Sequence, residues 1–332
     1  MKSIIYLCLF LGILDSINCF SQKKQNQLSQ IKKIKNCLVP ILSERHKFSD
    51  SEIAKLIEKQ KKNASQNAQN ILSEDELSKR TDSVYGTAIF IERGGKEYLV
   101  TARHVLIDEN LSVREYQVEK KREKESSGVF KSKDLIDYLK LNERLTLIPI
   151  YGSKNGDLNI QSVYSGDLKF KTFLDIDVIV VSLESEEGHR FSSILKSFDL
   201  APLNINNIDS TGIGDVGSEL IIAGFPVASR IDDRLPFMLP LFTFGRIAQF
   251  NLGLDHFIGD VTLMPGNSGG PAITDGKVIG IVTSQMQLPL VFDPSVTDAP
   301  SGYNSRSELA YIVKSNKIFT LLKQLQESGS GK

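Results

Sequence analysis

The sequence predicts an all-β fold with helices at both ends. From about residue 84 to residue 315, short runs of β-branched and aromatic residues alternate with turn-forming residues. Two pairs of runs flank a two-residue turn that favours a β-hairpin, Gly94-Gly95 in the first pair and Asp275-Gly276 in the second. Beyond residue 315, apolar residues recur at the spacing of one helix face.

The first β-rich region begins near Val84. Thr87–Glu92 and Glu97–Thr101 are the two runs of its hairpin. The following stretch, residues 107–145, is charged and contains the mixed-sign run Glu119–Lys124. Such a run is typical of a solvated loop or hairpin extension, and Asp134–Leu141 fits a short helix.

The second β-rich region begins near Glu219 and ends at the C-terminal helix. Its β-like runs are Leu220–Ala223, Gly245–Phe250, Phe257–Thr262, Ala272–Thr274 and Val278–Thr283. Ser315 then fits the cap of a last helix, in which Ile318, Leu321, Leu322 and Leu325 share one face.

Residues 22–80 differ from the rest and predict a helical N-terminal extension. They are rich in Lys, Gln, Asn and Ser and show no strand-like alternation. Ser49–Glu52 resembles a helix start, whereas Pro40 interrupts any continuous helix. Two interpretations remain: a propeptide or regulatory arm, and a helical extension packed on the β domain or partly mobile.

The first 21 residues predict a cleaved signal peptide. Lys2 precedes an apolar run, Ile4–Leu14, and Cys19-Phe20-Ser21 offers small residues at a cleavage site before Gln22. The apolar run is short for a membrane span. The mature chain is therefore expected to be secreted or periplasmic, with a lipid-modified Cys19 as the alternative.

Composition and cysteine content narrow the class of protein. The 40 basic and 40 acidic residues balance, and 41% of residues are hydrophobic, which is ordinary for a soluble globular protein. Nothing in this balance points to a nucleic acid or membrane partner. Signal cleavage would remove Cys8 and Cys19, so Cys37 would be left without a disulfide partner. No metal ion or other cofactor is expected.

Three segments carry the residue types of a nucleophilic site. Gly266–Pro271 places Ser268 between glycines that let backbone N–H groups approach a reacting carbonyl. A serine hydroxyl needs a base, and His104 follows the apolar run Tyr98–Thr101. The other three histidines, His46, His189 and His256, have weaker settings.

The third segment supplies a carboxylate, with two candidates. Asp175 and Asp177 precede the apolar run Val178–Val181, where a carboxylate is costly unless it accepts hydrogen bonds. Both side chains would point to one face of an extended strand, so alternation does not separate them. Asp177 is preferred because a buried strand follows it directly, and Asp175 remains the alternative.

Taken together, these segments resemble the trypsin-like serine peptidases of the chymotrypsin fold. Thr101–Val105 is similar to the histidine motif of that family, Gly266–Pro271 to its serine motif, and Val278–Val282 to the strand beside the specificity pocket. The resemblance covers about residues 84–325. It implies a peptidase domain over 81–332 with two six-stranded antiparallel β-barrels, at about 84–190 and 205–315, and a C-terminal helix at 315–327.

The resemblance also implies the role of each site residue. Ser268 would attack the scissile bond of a polypeptide, His104 would act as base and acid, and Asp177 would orient the imidazole. The N–H groups of Gly266 and Ser268 would form the oxyanion hole. The primary pocket would be formed by Thr262 at its base and by Thr283, Ser284 and Gln285 at its wall.

Asn267 separates this sequence from the digestive members of the family. Those enzymes carry an aspartate before the serine, which pairs with a new N-terminal amine after zymogen cleavage. The Asn variant is similar to the bacterial exported branch, which usually adds PDZ domains. Only 64 residues follow Ser268 (332 minus 268), and the second barrel needs them, so no PDZ domain is expected.

The leading hypothesis is thus an exported serine endopeptidase without a cofactor. A second hypothesis is a catalytically silent barrel that binds a partner. A third is a self-inhibited enzyme whose residues 22–80 cover the cleft.

Overall fold

The computed structural model describes residues 29–64, 73–126, 131, 133–147, 161–164, 168–226, 240–289 and 304–327. All structural statements concern these residues. The predicted signal peptide, residues 1–21, lies outside them.

The first half of the chain forms an eight-stranded sheet. Its strands are β1 (Leu38–His46), β2 (Thr81–Arg93), β3 (Lys96–Thr101), β4 (Arg144–Leu147), β5 (Gln161–Tyr164), β6 (Phe170–Thr172), β7 (Ile179–Ser182) and β8 (Leu203–Asn204). Seven of them follow the order β5-β4-β1-β2-β3-β7-β6 with antiparallel neighbours. The short β8 pairs in parallel with β2.

The second half forms a closed six-stranded barrel. Its strands are β9 (Glu219–Gly224), β10 (Leu241–Gln249), β11 (His256–Asp260), β12 (Pro271–Thr274), β13 (Lys277–Pro289) and β14 (Asn304–Lys314), in the order β10-β11-β14-β13-β12-β9. The predicted β-rich fold is confirmed. Of the two predicted barrels, however, only this one is closed by the described strands, because those of the first half leave β5 and β6 as edges.

Helices lie before, between and after the strands. They are α1 (29–35), α2 (Asp50–Ala64), α3 (Glu74–Ser78), α4 (Arg103–Leu106), α5 (Glu109–Glu125), α6 (Glu186–Ser197) and α7 (Asn316–Glu327), with short 3-10 helices at Leu135–Tyr138 and Ile205–Asn207. The predicted C-terminal helix is present as α7. Within the described ranges, no helix has the length and apolar character needed to cross a membrane.

The prediction of a helical extension is wrong for residues 38–46, which form β1 in the middle of the first sheet. β1 pairs with β2 along its whole length and with β4 on its other edge. Leu38 packs into one core cluster, and Val39 and Ile41 pack into another. A strand buried on both faces shows no alternation of apolar and polar residues, so periodicity in the sequence does not reveal β1.

Helices α2 and α3 are therefore an insertion between two paired strands. Directly after the last pair of the ladder, His46 with Thr81, the Lys47 N–H donates to the Arg80 carbonyl over 2.7 Å. The insertion contacts α5, since Arg114 Nε lies 2.6 Å from Asp50 Oδ1.

The charged stretch after His104 also differs from its prediction as a loop or hairpin extension. It forms the 17-residue helix α5. Asp108 caps this helix by accepting a hydrogen bond from the Leu111 N–H over 2.9 Å. Charged pairs at helical spacing, such as Lys121 with Glu125, replace the apolar periodicity by which helices are usually recognised.

One core cluster joins the two halves. It combines Ile89 and Val100 of the first sheet with Ile221 and Val278 of the barrel. Both ends of the chain contribute to it, α1 through Ile34 and α7 through Ile318, Leu321 and Leu322. Although α7 follows the barrel in sequence, it packs against β6 and β7 of the first sheet. The two halves are therefore held together by a continuous apolar core.

Candidate active site

His104 lies on α4, a single helical turn that begins two residues after β3 ends. The next two residues, Val105 and Leu106, are buried and anchor this turn. The Val105 carbonyl accepts hydrogen bonds from Ser43 Oγ and from Asn142 Nδ2, over 2.5 and 2.9 Å. These contacts fix the backbone, while the His104 side chain remains 35% exposed and accessible.

Asp177 is the aspartate that contacts His104, and it does so twice. Its Oδ1 accepts from the His104 backbone N–H over 2.9 Å, and its Oδ2 lies 2.7 Å from His104 Nδ1. An ionised carboxylate only accepts hydrogen bonds, so this contact favours the tautomer with the proton on Nδ1. That tautomer leaves the Nε2 lone pair available as a base.

The two candidate aspartates differ because they do not lie on an extended strand. The Val178 N–H donates to the Ile176 carbonyl over 2.9 Å, which forms a tight turn centred on Asp177. Asp175 is exposed before this turn, and the strand β7 begins only at Ile179. The turn directs only one of the two carboxylates to His104.

The environment of Asp177 favours its ionised form. Burial by itself raises the pKa of this carboxyl. The hydrogen bonds from His104 and the positive charges of His104 and Arg103 act in the opposite direction and hold the pKa below its ordinary value.

Arg103 positions the segment before Asp177. Its Nη1 donates to the carbonyls of Phe173 and Leu174, over 2.5 and 2.7 Å. Because Arg103 adjoins His104 in sequence, one helical turn holds both the histidine and the loop that carries its aspartate. The sequence motif contains this arginine, but its role in holding residues 173–174 was not predicted.

Ser268 follows a tight turn, Met264–Asn267. The Asn267 N–H donates to the Met264 carbonyl over 3.0 Å, and Gly266 has a φ of 101°. Pro265 in the second position and a glycine with positive φ in the third are typical of a type II turn. In the described part of the chain, the N–H groups of Gly266 and Ser268 have no hydrogen-bond acceptor. They are thus two donors available to a ligand.

Ser268 and His104 line the same cleft, which has a volume of about 420 Å³. The Ser268 hydroxyl donates to the Thr283 carbonyl over 3.2 Å. The other residues that line the cleft are Asp177, Leu263, Met264, Pro265, Asn267, Thr283, Ser284 and Gln285. The cleft therefore brings together the three predicted catalytic residues and three of the predicted pocket residues.

Thr262, predicted to form the base of the primary pocket, is exposed to solvent. Burial alternates over Val261, Thr262 and Leu263, so the threonine points away from the core that its neighbours enter. Leu263 and Met264 line the cleft in its place. This part of the cleft is consequently apolar.

A second cavity, of about 350 Å³, adjoins the cleft along Thr283 and Ser284. It is lined by charged, aromatic and apolar residues that include Asp175, Asp255, His256, Tyr311 and Leu254. Asp255 is paired with Lys317 at 2.5 Å. Asp175 lines this second cavity, whereas Asp177 contacts His104.

Asn267 is enclosed beside Ser268. It is 1% exposed, and its Oδ1 has no hydrogen-bond partner among the described residues. An aspartate in this position would place a charge in a buried site, which is costly without a cation.

Thr87 is a contact residue that the sequence analysis missed. This buried residue of β2 binds the turn before Ser268 through its hydroxyl, which donates to the Gly266 carbonyl over 2.8 Å. The only local signal is a polar residue in an otherwise apolar strand, Thr87–Ile91.

Cys37 takes no part in the site. It is fully buried, and its thiol donates to the Ile34 carbonyl over 3.0 Å. Burial raises the pKa of this thiol far above its ordinary value, so the reactive thiolate is disfavoured. Within the described ranges, no three His, Cys, Asp or Glu side chains are grouped so that they could hold a metal ion.

Comparison with known families assigns the greater part of the chain. Residues 86–281 match the trypsin-like peptidase domain. The match begins within β2 and ends within β13, so it contains His104, Asp177 and Ser268. A search of curated proteins finds no match.

Proposed function

Since the chain belongs to the trypsin-like peptidase family, we propose that it is an exported serine endopeptidase that uses Ser268, His104 and Asp177. Its substrates are polypeptides. The observation that carries this proposal is the double hydrogen bond between Asp177 and His104, beside a serine in the same cleft.

In the proposed mechanism, Ser268 Oγ attacks the carbonyl carbon of the scissile peptide while His104 Nε2 takes the hydroxyl proton. Asp177 holds the ring and stabilises the imidazolium that results. The N–H groups of Gly266 and Ser268 donate to the oxyanion of the tetrahedral intermediate. His104 then gives its proton to the leaving amine, and the C–N bond breaks.

The acyl-enzyme that remains is hydrolysed by the same groups. Water gives a proton to His104 and attacks the ester carbonyl. The ester C–O bond breaks, and the proton returns to Ser268. No group outside the chain is needed for these steps, apart from water.

The test is covalent labelling with a fluorophosphonate probe, together with hydrolysis of a peptide library. We expect the wild-type chain to be labelled and active, and Ser268→Ala to lose both properties. Ser193→Ala serves as a matched control, because the hydroxyl of this exposed serine donates to the His189 carbonyl within its own helix, α6. Equal labelling of the wild-type and Ser268→Ala chains would contradict the proposal.

One observation favours the second hypothesis, a silent protein that only binds a partner. The Ser268 hydroxyl donates to the Thr283 carbonyl and must turn away from it before its proton can pass to His104. Catalytic hydrogen bonds are often long or misaligned without substrate, so this contact is compatible with activity. A chain that bound peptides in the cleft without labelling or hydrolysis would establish the binding role.

Export is a separate part of the proposal and rests on the sequence of residues 1–21. We expect the exported protein to begin at Gln22. N-terminal sequencing of the secreted or periplasmic protein tests this expectation. Retention of an intact N-terminus inside the cell would contradict export without affecting the proposal on catalysis.

A further inference from the structure

Thr87 connects the strand that precedes His104 to the turn that precedes Ser268. Its hydroxyl donates to the Gly266 carbonyl over 2.8 Å and accepts from the Phe225 N–H over 2.9 Å. Its own N–H donates to the Ser268 carbonyl over 2.8 Å. Its carbonyl accepts from the Thr101 hydroxyl over 2.6 Å. The backbone N–H, the carbonyl and the hydroxyl of this one residue thus make four hydrogen bonds.

These four bonds join parts of the site that lie in different halves of the fold. Thr101 ends β3, three residues before His104, whereas Gly266 and Ser268 belong to the barrel half. Phe225 directly follows β9, another strand of the barrel. Thr87 is therefore a junction between the backbone that carries the base and the backbone that carries the nucleophile.

The junction has no free space in which to adjust. Thr87 is fully buried, and a Cβ on Gly269 would lie only 2.0 Å from the Thr87 carbonyl oxygen. A Cβ on Gly86 would lie 3.1 Å from the Ser268 carbonyl oxygen. The backbone at Gly86–Thr87 and the backbone at Ser268–Gly269 are thus as close as glycine permits. A shift of one of them therefore displaces the other.

The hydroxyl of Thr87 acts on the peptide between Gly266 and Asn267. This peptide is bonded at both ends, its carbonyl to Thr87 and its N–H to the Met264 carbonyl. The two bonds hold this peptide, and so they fix the position of the turn relative to the first sheet. The position of the turn then sets where the N–H groups of Gly266 and Ser268 point. A displacement of about 1 Å in such groups is enough to cost about 100-fold in rate.

We propose that Thr87 is a positioning residue that sets the turn Met264–Asn267, and with it Ser268, in register with the sheet that precedes His104. The proposal rests on the proposed peptidase function for its kinetic consequence. Its structural consequence, an ordered turn at Met264–Asn267, is independent of activity.

Two substitutions separate the hydroxyl from the rest of the side chain. Thr87→Val keeps the branched shape but leaves the Gly266 carbonyl and the Phe225 N–H without their partner. Thr87→Ser keeps the hydroxyl. The control is Ser112→Ala, because the fully buried Ser112 hydroxyl also donates to a carbonyl (2.7 Å, Asp108) and accepts from an N–H (2.8 Å, Lys140).

We expect Thr87→Val to lower kcat about 10- to 100-fold with little change in KM, since groups used only in the transition state are displaced. Affinity for a peptide boronate, which bonds Ser268 and fills the oxyanion hole, should fall in parallel. Thr87→Ser should restore most of kcat, and Ser112→Ala should leave both values near those of the wild type.

Amide hydrogen exchange gives the readout that does not need activity. We expect exchange at residues 264–270 to be faster in Thr87→Val than in the wild type, Thr87→Ser and Ser112→Ala. Unchanged exchange there, or an unchanged kcat in an active protein, would overturn the proposal. If the wild type were inactive, the peptidase function would fail, and the exchange measurement would still decide the role of Thr87.

Discussion

Asp175 and Asp177 are two residues apart, but only Asp177 has its carboxylate on His104. The two carboxylates differ in position because of the tight turn at Ile176–Val178, which interrupts the alternation of side chains along an extended chain. Charge alone does not distinguish the two residues, whereas backbone shape does. Substitution of each aspartate therefore tests the assignment directly.

We expect Asp177→Asn to lower kcat/KM by a factor on the order of 10⁴, because an amide favours the wrong tautomer of His104. Asp175→Asn is the matched control, and it should change kcat/KM by no more than about twofold, as for most exposed substitutions. Steady-state hydrolysis of one peptide substrate by both variants measures this. The opposite order would assign the role to Asp175.

The pKa of Asp177 also predicts a pH dependence of stability. Its folded-state pKa lies below the ordinary value of 3.8, so its contacts stabilise the fold fully above that pH. This contribution is lost as the pH falls through the lowered folded-state pKa. The difference in free energy of unfolding between wild type and Asp177→Asn should therefore be smaller at about pH 3 than at about pH 5. Urea unfolding at several pH values measures this difference, and a difference that widened between about pH 5 and about pH 3 would contradict the assignment.

Gly266 needs its positive φ of 101°, a conformation that costs other residues about 1–2 kcal/mol. We expect Gly266→Ala to lower kcat about 100- to 1000-fold, because its N–H no longer reaches the oxyanion. Gly217→Ala is the control, since Gly217 has a similar φ of 86° and an added Cβ would meet no described atom within 4 Å. It should lose stability but not kcat. An equal kcat for the two variants would show that the Gly266 N–H is not an oxyanion donor.

Local signals in the sequence are sufficient to predict the two hairpins, but they are insufficient to predict strand β1 and helix α5. Gly94-Gly95 and Asp275-Gly276 form the predicted turns, because turn geometry depends on the turn residues themselves. β1 owes its conformation to pairing with β2 and β4, which its own sequence does not encode. Propensity is overridden by such tertiary context.

The same distinction applies to the candidate site. Ser268, His104 and Asp177 each stand in a short motif or at the start of an apolar run, so the sequence offers them as candidates. Thr87 has no such motif, because its partner Gly266 is 179 residues away. Contacts of that separation emerge only when the two halves pack together.

The insertion between β1 and β2 is expected to be dispensable for folding. Replacing residues 48–79 by Asn-Gly would join Lys47 to Arg80, which are already hydrogen bonded, by a turn that favours a hairpin. The variant loses the buried Ile53 and Leu77 and the Arg114–Asp50 pair, but not β1. We expect a cooperative thermal transition and activity of the same order as wild type.

The control for this replacement is a substitution within β1. Ile41→Ala removes a buried side chain of the central strand and should cost about 2–5 kcal/mol. If the shortened chain failed to fold while Ile41→Ala remained as stable as the wild type, the insertion would contribute more to the stability of the fold than the β1 side chain does.

For the whole molecule, the shared core predicts a single unfolding transition. Phe90 lies in a cluster of the first half and Phe257 in a cluster of the barrel, and a third cluster joins the halves. The chain contains no tryptophan, so Phe90→Trp and Phe257→Trp each report on one half. Each change should cost about 1–3 kcal/mol.

We expect the midpoint of urea unfolding seen by tryptophan fluorescence to coincide with that seen by circular dichroism in each variant. The urea midpoint of the unsubstituted chain, measured by circular dichroism, shows how much each tryptophan substitution alters the stability. Two separate transitions in either variant would show that the halves unfold independently.

The packing of α7 on the first sheet has a consequence for the order of events during synthesis. The ribosome makes His104 and Asp177 before Ser268, and β14 and α7 follow all three residues. Without β14, β11 and β13 lack the strand between them, and without α7, β6 and β7 lack their cover. A growing chain therefore carries all three side chains for some time before it has the frame that holds them together. Under the proposed function, we therefore expect a chain that stops before β14 to have no activity toward peptides.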